Sequence, residues 1–270
     1  MKLISSISDF QSWRQACSGT IGFVPTMGAL HSGHLSLVHK SNSKCDLTIV
    51  SIYVNPAQFT PGEDLSNYPR DLEKDLEALS KFQVDVVFFP DDKQMYPQGF
   101  STFILEDNFS HRLEGKSRPE HFKGVLTIVG KLFNIIRPSH AFFGEKDAQQ
   151  IRVLQKMVTD LNYNLQIVPC PIVREANGLA MSSRNIYLSE NNREKAGVIH
   201  RSLKKAEEML VQGYHSVVEI REVVIAMIKT EKQIRLDYFS IVDNISLKEI
   251  HDNIEGDILV SIAVFFLDVR

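Results

Sequence analysis

Short, nearly continuous apolar runs alternate with helical patterns through the first two-thirds of the chain, and this alternation constrains the fold more than any other feature. The runs are TIGFV (20 to 24), LTIVSIYV (47 to 54), VDVVFF (84 to 89), HAFF (140 to 143) and LQIV (165 to 168). A strand that is apolar at almost every position has no solvent face, so its sheet must be covered on both sides, as in a parallel sheet wrapped by helices. The intervening segments supply those helices. PRDLEKDLEALSKF sets Leu72, Leu76, Leu79 and Phe82 near one face, with Pro69 expected at the first turn. GVLTIVGKLFNII is long enough for a helix and stops before Pro138.

Beyond about residue 174 the character changes. SENNREKAGVIHRSLKKAEEML opens with Ser189 as an N-cap and continues as a charged amphipathic helix; a second helix near 216 to 230 and the strands IRLDYFSIV and DILVSIAVFFL follow. The expected architecture is therefore α/β: a Rossmann-like parallel sheet over residues 1–173 and a smaller α+β domain over residues 174–270.

The run ILVSIAVFFL, 258 to 267, is about half of what a bilayer span needs and is expected as a buried strand. The opening MKLISSISDFQSWRQ lacks the apolar core of an export signal, so no membrane association is expected. With 30 basic against 33 acidic residues and a net charge of −3, nothing draws the chain as a whole to nucleic acid; a polyanion must meet a local cluster. Cys17, Cys45 and Cys170 are odd in number, far apart and in no CxxC pair. That pattern speaks against a disulfide framework or zinc site and for a reducing, cytoplasmic setting.

Four polar segments interrupt this scaffold where strands should end. The first, PTMGALHSGH, lies between the run IGFV and a helical LSLVHKSN. A helix starting at the carboxyl end of a parallel strand offers free N–H groups and a positive dipole end to a phosphate. Gly28 and Gly33 allow close backbone approach, and His31 and His34, three apart, can face one anion. A zinc reading is weaker, because no third ligand is near and Gly33 intervenes.

The second segment, VNPAQF, places Asn55 and Gln58 in the next loop at the same sheet edge, with Pro56 holding Asn55 extended. The third, FFGEKDAQQ, offers Gly144 for a turn, Lys146 as a point charge, Asp147 as an N-cap or magnesium contact, and Gln150 on the face of Lys146. The fourth, LAMSSRNIYLS, carries Ser182, Ser183 and Arg184 in a polar loop that could close over phosphates. Each segment alone also reads as an ordinary turn or solvated surface. Together they describe a nucleotide site.

Taken in order, PTMGALHSGH, SIYVNPAQF, YPRDLEKD, LEGKSRPEHFKGVLTIVGKLFN, FGEKDAQQ and VREANGLAMSSRNIYLS resemble the pantothenate synthetases, the pantoate–β-alanine ligases of the nucleotidyltransferase superfamily. The resemblance covers nearly all of the first 190 residues and weakens thereafter. It implies attack of the (R)-pantoate carboxylate on the α-phosphate of ATP, followed by attack of β-alanine on the resulting pantoyl adenylate.

The resemblance also implies roles. Met27, Gly28, Ala29, Leu30, His31, Ser32, Gly33 and His34 would form the first ATP loop, with His34 as proton donor. Gly144, Glu145, Lys146 and Asp147, the backbone at Val173, and Met181, Ser182, Ser183 and Arg184 would complete the nucleotide contacts, Lys146 and Arg184 stabilising charge. Gln58 and Gln150 would hold pantoate with Asn55 and Arg118 nearby, and Gln58 would also meet β-alanine. Mg2+ would accompany the ATP phosphates, with Asp147 as its one protein contact, and the assembly would be a homodimer. Ser32 departs from the acid more usual between the histidines. The rival readings are another HxGH adenylyltransferase acting on a phosphate acceptor, which would want added Arg or Lys in place of Gln58 and Gln150, and a non-catalytic RNA-binding module, which the charge disfavours.

Overall fold

The computed structural model describes residues 1–270. Six strands form one parallel sheet: β1 (Lys2–Ile4), β2 (Ile21–Thr26), β3 (Leu47–Ile52), β4 (Val86–Phe88), β5 (His140–Gly144) and β6 (Gln166–Cys170), in the spatial order β1-β4-β3-β2-β5-β6. The order reverses at β2, whose neighbours are β3 on one side and β5 on the other. In open parallel sheets the crevice beyond such a reversal is where ligands bind.

Side chains alternate between two cores. Phe23, Ile49, Val86, Phe88 and Phe143 enter one apolar cluster, while Val24, Val50, Val87 and Phe142 enter the other. The first is closed by helices α1 (Ile7–Gln15), α6 (His121–Ile136) and α7 (Ala148–Asp160), the second by α2 (Ser32–Lys44) and α3 (Leu72–Ser80). Both faces of each inner strand are thus dry, which explains their unbroken hydrophobicity. The short α4 (Asp92–Met95) follows β4 and buries Met95 completely.

One local expectation shifts, and one strand is unforeseen. Pro69 lies outside α3, because the Asp71 carboxylate accepts the Lys74 N–H at 3.2 Å and starts the helix after it. Strand β1 has no signature in KLI alone and is fixed by pairing with β4. α6 ends as expected before Pro138, with Arg137 left-handed at φ 50°.

The chain divides into two compact units, Met1–Ser110 with Arg118–Val173, and His111–Ser117 with Arg174–Arg270. Residues 111–117, which hold the short α5 (Leu113–Ser117), therefore group with the second unit rather than with the segment 1–173 around them. An ionic cluster lies within that grouping: the Arg270 guanidinium donates to Glu114, at 2.9 Å for Nη2, and to Asp237 at 2.6 Å.

The second unit packs α8 (Glu190–Ala196), α9 (Val198–Val211), α10 (Val217–Ile228) and the antiparallel pair β7 (Ile234–Asp243) and β8 (Ile258–Phe266). Ser189 caps α8, accepting the Asn192 N–H at 3.3 Å. Its core joins Val217, Ile220 and Val224 of α10 to Phe239 and Ile241 of β7. β8 is not the buried strand its composition suggests: Phe266 is its one buried residue, and alternate positions Ile258, Val260 and Ile262 pack against that core. A two-stranded ribbon offers too little sheet to bury both faces.

Candidate active site

The chain leaving β2 makes a tight loop before α2. Gly28 (φ 84°) and Ala29 (φ 50°) both adopt left-handed backbone, and a side chain at Gly28 would stand 2.9 Å from the Asp75 carboxylate. That carboxylate, 3% exposed, accepts the Ala29 N–H at 3.0 Å and the Leu30 N–H at 2.7 Å. Asp75 thus shapes the loop from α3, a role that its place in an ordinary amphipathic helix conceals. Burial pushes its pKa up, against the pull of the two N–H groups.

At the start of α2 the two histidines cap the helix reciprocally. His31 is the N-cap and its Nδ1 accepts the Gly33 N–H at 3.1 Å; His34, at the third helical position, accepts the His31 N–H on its own Nδ1 at 3.4 Å. This is the capping box with imidazoles in place of Ser and Glu, and it explains the spacing of three. Since the His31 N–H points at its Nδ1, a neutral His34 ring carries its proton on Nε2 and presents it as a donor. The rings stack with centroids 4.0 Å apart.

Burial first, then His31 and then Lys146 push the His34 pKa down to about 3. The side chain retains some solvent access, yet the three causes agree in sign. At neutral pH His34 is an uncharged donor beside two groups that favour an anion.

The loop after β3 is held by a different network. Asn55 is extended (φ −77°, ψ 109°) before the single 3-10 turn Pro56–Gln58, which it caps through Ala57 N at 3.3 Å. Its amide also donates to the Gln58 Oε1 at 3.1 Å and to the Gly124 carbonyl at 3.1 Å. Gln58 Nε2 in turn lies 3.1 Å from the Met27 sulfur, so the first two predicted loops meet. The Gln58 carbonyl accepts from Arg118 Nη2 at 3.2 Å and from His121 Nδ1 at 3.0 Å.

Arg118 supports this loop by a bidentate pair with Glu63, both contacts at 2.6 Å. Burial would raise the Glu63 pKa, but the Arg118 and Thr60 hydrogen bonds outweigh it and hold the carboxyl at about 2. Tyr96, which donates to Asn55 Oδ1 at 2.7 Å, Gly124, His121 and Glu63 are thus parts of the site that spacing could not single out, since their contacts span distant segments.

After β5, residues Glu145–Asp147 form a 3-10 turn leading into α7. Asp147 sits at the N-cap but makes no capping bond; its carboxylate pairs with Lys146 Nζ at 3.0 Å, so the N-cap expectation is corrected. Gln150 stands partly exposed in the first turn of α7, while Gln149 is buried and donates to the Phe109 carbonyl at 2.7 Å. Val173 follows β6 outside any helix or strand. No group of three or more His, Cys, Asp or Glu side chains is placed to hold a metal ion.

The second unit carries Met181, Ser182, Ser183 and Arg184. Ser182 caps the 3-10 turn Ser183–Tyr187 by accepting the Arg184 N–H at 3.3 Å. Buried Asn185 donates to Glu175 at 2.6 Å, and Glu175 also pairs with Arg193 at 2.6 Å. This polar loop is therefore a built turn, anchored through Asn185 and Arg193 on Glu175.

The sequence profile of the pantoate–β-alanine ligases matches residues 2–270. A pantothenate synthetase from Acetivibrio thermocellus is 49% identical over 273 residues, which span 100% of this chain and 97% of that one. A Thermus thermophilus pantothenate synthetase of solved structure superposes with a TM-score of 0.94 at 41% identity, covering 100% of this chain and 97% of the other. The Francisella tularensis pantoate–β-alanine ligase, solved in complex with β-γ ATP and β-alanine, gives a TM-score of 0.81 at 36% identity, covering 100% and 95%. With two reciprocally capping histidines at the switch-point strand and a family match along its whole length, the chain belongs to the pantoate–β-alanine ligase family.

Proposed function

We propose that this protein condenses (R)-pantoate with β-alanine at the expense of ATP, giving pantothenate, AMP and pyrophosphate. The observation that carries the reading is the histidine pair at the start of α2, whose Nδ1 atoms serve the cap, with the neutral His34 ring beside Lys146 and one loop from the amide of Gln58. Neutral donors and a helix N-terminus suit a triphosphate, and a neutral amide suits a small hydroxy acid.

In the first step a pantoate carboxylate oxygen bonds to the α-phosphorus while the bond to the bridging oxygen of pyrophosphate breaks. Negative charge grows on the leaving group and the equatorial oxygens, and His34, His31 and Lys146 stabilise it. In the second, the β-alanine amine attacks the acyl carbon and AMP departs. No covalent enzyme intermediate is required, because positioning and electrostatics supply most of such a rate.

Gln58 serves as the donor to pantoate and a contact for β-alanine, with Gln150 as second amide and Arg118 bracing the loop through the Gln58 carbonyl. Backbone at Gly144 to Asp147 and at Val173, together with Met181 to Arg184 of the second unit, is assigned to the nucleotide by the family resemblance. The Asp75 carboxylate holds the Ala29 and Leu30 N–H groups and so fixes the shape of the loop Met27 to His34 that is assigned to ATP. Mg2+ would accompany ATP and offset phosphate charge, with Asp147 of the β5 loop as the carboxylate that would hold it. Two functional domains, a homodimer and a cytoplasmic location complete the proposal; no helix is long and apolar enough to cross a membrane.

Pyrophosphate release tests it. Release is expected with ATP and pantoate together, faster when β-alanine is present, and absent when pantoate is omitted. Equal release without pantoate would overturn the reading.

A further inference from the structure

The Gln58 amide can present either its NH2 group or its oxygen to a ligand, and the two orientations have nearly the same shape. What selects one is an amide behind it. Asn55 is 1% exposed and has no solvent to turn towards. Its Oδ1 accepts from Tyr96 Oη at 2.7 Å and from Ala57 N at 3.3 Å, while its Nδ2 donates to the Gly124 carbonyl and to Gln58 Oε1, both at 3.1 Å. All four hydrogen-bonding positions of this buried amide are filled, so rotating it would leave donors facing donors.

Tyr96 makes the shorter of the two bonds to Oδ1 and stands immediately after α4. Its ring rests edge-on against Phe100, 5.0 Å between centroids, and Tyr53 ties α4 to the end of β3 by donating to Asp92 at 2.8 Å. Burial and the neighbouring Asp92 carboxylate raise the Tyr96 phenol above its ordinary range, which keeps the proton that Oδ1 accepts.

We propose that Tyr96 is a positioning residue for the acid substrate. Its hydroxyl orients Asn55, Asn55 holds the Gln58 Oε1, and the Gln58 nitrogen, one N–H of which meets the Met27 sulfur, thereby turns its other N–H to a carboxylate or hydroxyl oxygen of the ligand. The inference rests on the reading of Gln58 as the pantoate contact.

The experiment is a double-mutant cycle with Tyr96→Phe and Gln58→Ala, following KM for pantoate, KM for ATP, kcat and Tm. Tyr96→Phe keeps the ring packing and removes one O–H group. It is expected to raise KM for pantoate about five- to tenfold, the worth of one oriented hydrogen bond, with KM for ATP unchanged and Tm within a few degrees of the parent. In the Gln58→Ala background the same change should add nothing, because the amide it orients is gone. Equal loss for both substrates, or an effect that persists without Gln58, would overturn the inference. An effect of Gln58→Ala on pantoate with none from Tyr96→Phe would overturn it alone, whereas no effect of Gln58→Ala would remove the pantoate reading and the inference together.

Discussion

His31 and His34 close the start of α2 together: the His34 ring accepts the His31 N–H, and the His31 ring accepts the N–H of Gly33 between them. The His34 Nδ1 is taken by that bond, so a neutral His34 ring carries its proton on Nε2. Because its pKa lies near 3 against an ordinary 6.5, His34 is neutral in the free protein. A triphosphate reverses the local sign of charge. Binding of a non-hydrolysable ATP analogue should raise the His34 pKa, seen as an upward shift of the titration midpoint in ¹⁵N imidazole spectra. An unchanged or lower midpoint would place the phosphates elsewhere.

The same shift predicts acid sensitivity. As pH falls below 6.5 the unfolded chain protonates His34 while the folded chain does not, so stability is lost progressively down to about pH 3. His34→Gln should flatten that part of the pH profile in urea unfolding; an unaltered slope would contradict the assigned pKa.

For catalysis, His34→Ala should lower kcat on the order of a hundredfold or more, the usual cost of one donor to developing charge, with a far smaller change in ATP affinity. Parent-like kcat at saturating ATP would remove His34 from the transition state.

Gly124 and the Gln58 loop touch backbone to backbone. A methyl group at Gly124 would overlap the Ala57 carbonyl and stand 2.5 Å from the Gln58 nitrogen, and neither can rotate away. Gly124→Ala should therefore displace the loop, raising the pantoate requirement more than the ATP requirement; parallel rises would show general unfolding instead.

Asp75 offers a structural control. Asp75→Ala strands two loop N–H groups and should cost roughly 1 to 3 kcal/mol in urea unfolding. A change below the error of the measurement would show that the loop keeps its shape unaided.

The parallel sheet is legible in the sequence because burial on both faces leaves runs such as LTIVSI and HAFFG without charged interruption. The loops at its edge are legible because glycine, proline and histidine sit where the strands stop. What supports those loops is not. Asp75 lies in a helix rich in acids, Tyr96 in a short MYPQ segment, and Glu63 opposite Arg118 some 55 positions away, and nothing local marks any of them as a partner. β8 misleads for a related reason: its apolar composition reports what it could bury, whereas a two-stranded ribbon has only one packed face.

The central claim is that pantoate attacks the α-phosphorus. Pantoate labelled with ¹⁸O in its carboxylate tests it directly, since the attacking oxygen bridges acyl carbon and α-phosphorus in the adenylate and stays with phosphorus when β-alanine attacks carbon. The expected result is AMP carrying one labelled oxygen, with unlabelled pyrophosphate as co-product. ADP together with labelled inorganic phosphate would instead establish attack at the γ-phosphorus and contradict the transition-state roles of His31, His34 and Lys146.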